Sequence, residues 1–235
     1  MTETAISLDD VHVSLGEGAA RVDILRGLTL NIGQGEAIAI LGPSGSGKST
    51  LLMVMAGLER ITGGAITVAG GRIDRMSEDG LAAFRGRNLG IVFQSFNLIP
   101  TMTALENVAV PLELAGRRDA FETAAAELRL VGLEARMSHH PGQLSGGEQQ
   151  RVAIARAIAP APPILFADEP TGNLDEQTGR EIADLIFRLK DERGATLILV
   201  THDPSLARRC ERVLTIGGGV IADDSSAEAF RAARA

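Results

Sequence analysis

Tryptophan and tyrosine are absent from this chain, and cysteine occurs once, at Cys210. A single cysteine excludes an intrachain disulfide and any zinc site built on two thiolates. It also suits a reducing compartment. Long apolar runs are missing too. None approaches the roughly 18 residues of a membrane helix. One uncharged candidate, Ala157 to Ala167, is interrupted by Pro160, Pro162 and Pro163. The opening MTETAISLDD carries acid rather than base, so no signal peptide is expected. Positive charge is in deficit: 23 Lys and Arg stand against 30 Asp and Glu, a net −7. That balance argues against a nucleic-acid partner.

What is present is an ordinary globular composition, 45% hydrophobic and 23% charged. Global disorder is excluded, and 235 residues suffice for a real core. Three short apolar runs read as buried parallel strands: Ala37 to Leu41, Ile164 to Ala167 and Thr196 to Val200. Each is followed by polar or glycine-rich chemistry, which is where ligands of α/β sheets sit. Ile182, Leu185, Ile186 and Leu189 recur at helical spacing and Gly194 closes that helix. A second helix is expected from about Ala120 to Val131. Ile6 to Val13, Leu28 to Ile32 and Ala65 to Val68 read as antiparallel strands, with hairpin-type glycines at Gly63-Gly64 and Gly70-Gly71. A late hairpin is expected around Gly217-Gly218-Gly219. The stretch from about Asn97 to Ala159 reads as mostly helical. The expectation is an α/β core with an antiparallel β lobe (about 1–35 and 60–90) and an inserted helical lobe (about 97–160).

Gly42-Pro43-Ser44-Gly45-Ser46-Gly47-Lys48-Ser49 fits G-x-x-x-x-G-K-S/T between an expected strand and an apolar helix. Glycines let the backbone wrap phosphate closely, and the N–H groups of the helix start favour an anion. Lys48 is expected to reach the β- and γ-phosphates, Ser49 to ligate Mg²⁺, and Thr50 to bond the α-phosphate. Asp168-Glu169 ends a buried strand. Asp168 is expected to hold Mg²⁺ through water, and Glu169 to orient and deprotonate the attacking water. Gln94, after the strand Leu89 to Phe93, reads either as a contact to Mg²⁺ or water or as a surface amide. His202 reads either as a polar cap or as a bond to the γ-phosphate.

Leu144-Ser145-Gly146-Gly147-Glu148-Gln149-Gln150-Arg151 is the most specific stretch. Ser145 and Glu148 make a capping box, and the glycine pair leaves amides for a second anion site. Two such sites on one chain suggest that each serves a different nucleotide across a dimer interface.

Here the sequence resembles the ATP-binding-cassette ATPases over nearly its whole length, with the motifs in the family's order. The resemblance implies a single cassette domain over 1–235 with a P-loop NTPase (RecA-like) core, and ATP and Mg²⁺ as ligands. Its phosphate loop is Gly42 to Ser49, its Q-loop Gln94, its signature Leu144 to Gln149, its D-loop Asn173-Leu174-Asp175 and its switch histidine His202. It further implies a homodimer in which each ATP lies between the loop of one copy and Ser145, Gly147 and Glu148 of the other. Val92 to Val108 and Asp168 to Asp175 are similar to the LolD-, MacB-, FtsE- and YbbA-like branch. That likeness implies an integral membrane permease of FtsX, MacB or LolC type as partner, docking on Gln94 to Val110. The chain would then lie on the cytoplasmic face of a bacterial inner membrane. One departure stands out: the family's adenine-stacking aromatic is matched by Leu15, so weaker discrimination between ATP and GTP is expected. Phosphotransfer to a small substrate would share the phosphate loop but has no use for the signature. A soluble cassette ATPase of the iron–sulfur assembly type is the alternative to transport.

Overall fold

The structure is a computed structural model that describes residues 3–16 and 21–232. Residues 1–2 and 17–20 of the expected β lobe, and 233–235 of the expected domain, lie outside the described residues. In chain order the strands are β1 (Thr4–Leu15), β2 (Val22–Gly33), β3 (Ala37–Leu41), β4 (Gly63–Val68), β5 (Gly71–Arg72), β6 (Leu89–Phe93), β7 (Ile164–Asp168), β8 (Thr196–Val200), β9 (Arg212–Gly217) and β10 (Val220–Ser226). The helices are α1 (Lys48–Met55), α2 (Glu78–Asn88), α3 (Ala104–Leu114), α4 (Ala120–Leu130), α5 (Gly146–Ile158), α6 (Glu176–Arg193), α7 (Pro204–Ala207) and α8 (Ala227–Ala232). The contacts divide the chain into two compact units, residues 1–81 with 196–235, and residues 82–195.

In the first unit, β1 alternates as a half-buried strand should. Ile6 and Leu8 point inward, then Val11 and Val13. The alternation is reset at Asp9-Asp10, where the pairing with β2 shifts register and Asp10 adopts φ 48°. The antiparallel sheet runs β2-β1-β4-β5. A second group of strands has the order β10-β9-β3-β8, with β3 parallel to both β9 and β8. Every residue of β3 and of β8 is buried, which is why both read as unbroken apolar runs. Gly218 and Gly219, at φ 56° and 81°, make the tight turn of the β9–β10 hairpin, as expected.

In the second unit, β6 and β7 pair in parallel from Leu89 opposite Ile164 to Phe93 opposite Asp168. The chain between them is helical, as expected for the inserted lobe. α5 buries Val152, Ala153, Ile154 and Ala155, and α6 buries Ile182, Leu185, Ile186 and Leu189. Gly194 ends α6 at φ 63°.

Two expectations need correction. The stretch 60–90 is not all β lobe: α2 occupies Glu78–Asn88, and Leu89 opens a parallel strand. Only Leu81 of α2 is buried, so no apolar stripe announced that helix. Gly63-Gly64 is not a turn but the start of β4, lying so close to β1 that a Cβ on Gly64 would meet the Asp10 carbonyl at 2.2 Å.

Candidate nucleotide site and signature helix

In the first unit, the chain turns from β3 into α1 through Gly42–Gly47. A Cβ on Gly42 would sit 2.2 Å from the Ile216 carbonyl oxygen, so the loop packs against β9 only without a side chain there. Gly47 takes φ 101° and opens α1 with no side-chain cap and no acid in the first turn. The positive end of the helix dipole is therefore left for an anion. Lys48 Nζ donates to the carbonyls of Gly42 and Pro43 at 2.9 and 3.0 Å, folding the ammonium over the loop. Ser46 Oγ is buried without a partner among the described residues. Pro43, Ser44, Gly45 and Ser49 are exposed, and Thr50 is half-buried.

Pairing of Ile40 with Val200 sets the end of β8 beside the start of this loop. Thr201 is buried and accepts the Asp203 N–H at 3.0 Å, Asp203 caps α7, and His202 lies exposed between them. Loop and histidine thus share one edge. Leu15 is 47% exposed at the end of β1, opposite Val22.

In the second unit, the register of Phe93 against Asp168 sets Gln94 and Glu169 on adjacent strand ends. Asp168 and Glu169 are half-buried. Glu169 holds φ 47°, a left-handed conformation costly for any residue but glycine, and its carbonyl accepts the Gly172 N–H at 3.0 Å. Gln94 Nε2 donates to Asn173 Oδ1 at 3.1 Å, and Asn173 Nδ2 donates to the Gln94 carbonyl at 3.1 Å. No local sequence signal linked these two amides, 79 positions apart. Asp175 caps α6 by accepting the Thr178 N–H at 3.0 Å, and its bonds to Thr178 lower the Asp175 pKa.

The signature forms the start of α5. Ser145 Oγ accepts the Glu148 N–H at 3.3 Å, and Glu148 Oε2 accepts the Ser145 N–H at 2.8 Å, the capping box expected from the sequence. Arg136 Nε donates to Glu148 Oε1 at 2.8 Å. The Ser145 amide first, then Arg136, hold the Glu148 carboxyl below its usual range. The glycine pair also has a reason within the chain: a Cβ on Gly147 would meet Thr178 Cγ2 at 2.6 Å. α5 therefore reaches the start of α6 only because residue 147 is bare.

The comparisons with known proteins agree with this geometry. The sequence profile described as ABC transporter matches residues 25–172. The chain belongs to the ABC transporter family. Among its relatives, the uncharacterized ABC transporter ATP-binding protein YbbA of Escherichia coli (strain K12) is 48% identical over 225 residues, covering 95% of this chain and 99% of that one. The macrolide export ATP-binding/permease protein MacB of Syntrophobacter fumaroxidans is 45% identical over 226 residues, covering 94% of this chain but 32% of that one. The chain is also similar to the dimeric ATP-binding cassette MJ0796 in a post-hydrolysis state bound to ADP and Pi: TM-score 0.87, 40% identity, 94% of this chain and 98% of that one. This cassette is an ATPase of the transporter class, and the relatives favour that reading over the iron–sulfur assembly alternative. No helix among the described residues is long and apolar enough to cross a membrane.

Proposed function

We propose that this chain hydrolyses ATP as one half of a homodimer that drives a separate integral membrane permease. One observation carries the reading. The same chain holds an uncapped, glycine-led helix start at Gly47-Lys48 and a second glycine-led start at Ser145–Glu148, whose capping box uses the Ser145 and Glu148 amides but not those of Gly146 and Gly147. Two anion-facing helix ends per chain suit two nucleotides, each shared between copies. The dimeric assembly of the MJ0796 cassette supports it.

In this reading the backbone N–H groups of Gly45, Ser46, Gly47 and Lys48 cradle the β- and γ-phosphates, and the Lys48 ammonium neutralises them. Thr50 bonds the α-phosphate. Ser145 and Gly147 of the opposing copy approach the γ-phosphate, with Glu148 fixing their helix turn. Glu169 accepts a proton from the attacking water as it enters in line, and His202 bonds the γ-phosphate. The products are ADP and phosphate. A positioned base contributes ~10²–10⁴-fold.

No group of three or more His, Cys, Asp or Glu among the described residues could hold a metal by itself. Magnesium fits nonetheless, because it is held by few protein oxygens plus substrate phosphates. Ser49, Asp168 and Gln94 offer hydroxyl, carboxylate and amide oxygens of the required hardness. Mg²⁺ supplies neutralisation of developing charge on the phosphates.

The permease is proposed to dock on Gln94 to Val110. A groove of about 520 Å³ between α2 and α3 extends that surface, lined by Ala82, Ala83, Arg87, Pro111 and Leu114. Leu114 is 84% exposed and Ile99 36%. Docking there puts the chain on the cytoplasmic face of the inner membrane.

Glu169→Gln tests the chemistry: ATP binding persists, turnover nearly stops, and light scattering detects a trapped dimer. Lys48→Ala loses binding itself. Undiminished hydrolysis by Glu169→Gln rejects Glu169 as the base. Co-purification from membranes tests the partner; recovery of soluble scaffold proteins alone rejects it.

A further inference from the structure

α5 carries a buried amide that the chemistry above leaves unused. Gln150 is 0% exposed. Its Nε2 donates to the Pro170 carbonyl at 2.7 Å and, more weakly, to the Phe93 carbonyl at 3.4 Å. Its Oε1 is buried with no hydrogen-bond partner among the described residues. An apolar side chain of the same size would fill this place without orphaning an acceptor. What the position uses, therefore, is the donor.

The two acceptors are informative. Phe93 immediately precedes Gln94, and Pro170 immediately follows Glu169. Glu169 sits at φ 47°, a conformation that persists only where its surroundings hold it. Further along α5, Arg156 grips the next stretch in the same way. Its Nη1 donates to the Asn97 carbonyl at 2.6 Å and its Nη2 to the Phe96 carbonyl at 2.8 Å. Phe96 and Asn97 are themselves left-handed, at φ 60° and 50°. One rigid helix, beginning with the signature, thus holds three left-handed residues or their immediate neighbours.

We propose that Gln150 is a positioning residue for ATP hydrolysis: through Nε2 it locks the backbone beside Glu169 and Gln94 to the signature helix. The proposal rests on the reading of Glu169 as the base. A movement of the signature end of α5 would then be passed to the water-activating carboxylate through one side chain.

Gln150→Met keeps length and burial and removes the donor. Gln150→Leu also removes the donor, with an apolar side chain that neither ionises nor donates. Steady-state ATP turnover should fall at least ~10-fold in Gln150→Met, with KM for ATP within about twofold, the pattern of an interaction needed only in the reacting geometry. In a Glu169→Gln background, Gln150→Met should still bind ATP and dimerise as the Glu169→Gln chain does. Turnover within about twofold of the natural chain overturns the proposal, as does a loss matched by an equal rise in KM or by unfolding at the assay temperature. If Gln150→Met does not fold, Gln150→Leu decides by the same readings; failure of both to fold makes the role purely structural and overturns the proposal. The two readings fail separately: hydrolysis by Glu169→Gln alone removes the base assignment, whereas full activity in Gln150→Met removes only the tether.

Discussion

Gln94 and Asn173 grip each other through two amide hydrogen bonds, side chain to side chain and side chain to backbone, both at 3.1 Å. The pair joins the segment after β6 to the turn that leads into α6. A Cβ on Gly172 would press within 2.7 Å of Gln94 Nε2, so the bare residue leaves room for the clasp. Gln94 is half-buried and Asn173 exposed, so water can replace either bond when it breaks.

That arrangement separates stability from turnover. Asn173→Ala should cost less than about 1 kcal/mol, because an exposed hydrogen bond is worth about that much net. Turnover should fall more, by ~3–10-fold, if Gln94 must be held to meet the nucleotide. Thermal unfolding beside steady-state hydrolysis checks both. Equal turnover in the variant removes the clasp from the mechanism.

Glu148 puts a carboxylate where the proposal brings a triphosphate. Arg136, at 2.8 Å, offsets that charge. Arg136→Ala should raise the ATP concentration needed for dimerisation about two- to fivefold, since half-exposed ion pairs are worth ~0.2–1 kcal/mol. The effect should shrink as salt rises. Glu148→Gln keeps a capping side chain without charge and should lower the concentration required. Dimerisation followed by light scattering decides. An Arg136→Ala response that ignores ionic strength removes electrostatics as the cause.

Much of this was legible in the residues. β3, β7 and β8 fall on the expected runs because parallel strands buried on both faces read as unbroken apolar stretches. Ser145 and Glu148 cap α5 because that chemistry is local, confined to four residues. α2 was missed because it buries one side chain, Leu81, and so has no periodicity to read. The Gln94–Asn173 clasp and the Gln150 bonds were missed for a different reason. They depend on strand register and on backbone carbonyls, and no residue type announces which carbonyl it will meet.

Asp74 ties β4 to the chain after β5. Its Oδ1 accepts from the Ile66 N–H at 3.0 Å and from Arg72 Nε at 2.9 Å, and its Oδ2 accepts from Arg72 Nη2 at 2.8 Å. Arg72 first, then the Ile66 amide, lower its pKa from 3.8 to about 2. A carboxyl depressed in the folded chain adds stability above its unfolded pKa and loses it as pH falls through the folded value. Asp74→Asn should therefore cost about 1–2 kcal/mol at neutral pH. The gap between variant and natural chain should close as pH drops from about 4 towards 2. Denaturant unfolding across that window measures it. A gap that does not change with pH assigns the cost to packing instead.

Leu15 ends β1 47% exposed, where the family resemblance expects an aromatic ring. An aliphatic side chain offers adenine and guanine the same contact area but no π-face. Stacking of a base on an aromatic ring is worth about 1–3 kcal/mol where it has been tested by alanine substitution. Leu15→Tyr should therefore tighten ATP binding by at least ~5-fold. Because every base has a π-face, GTP affinity should rise by a similar factor, so the expected weak discrimination should be unchanged unless the tyrosine hydroxyl meets one base edge. Fluorescent-nucleotide titration of both chains with ATP and GTP separates the outcomes. No gain for either nucleotide would show that the base does not lie against residue 15, and the expectation of relaxed nucleotide choice would go with it.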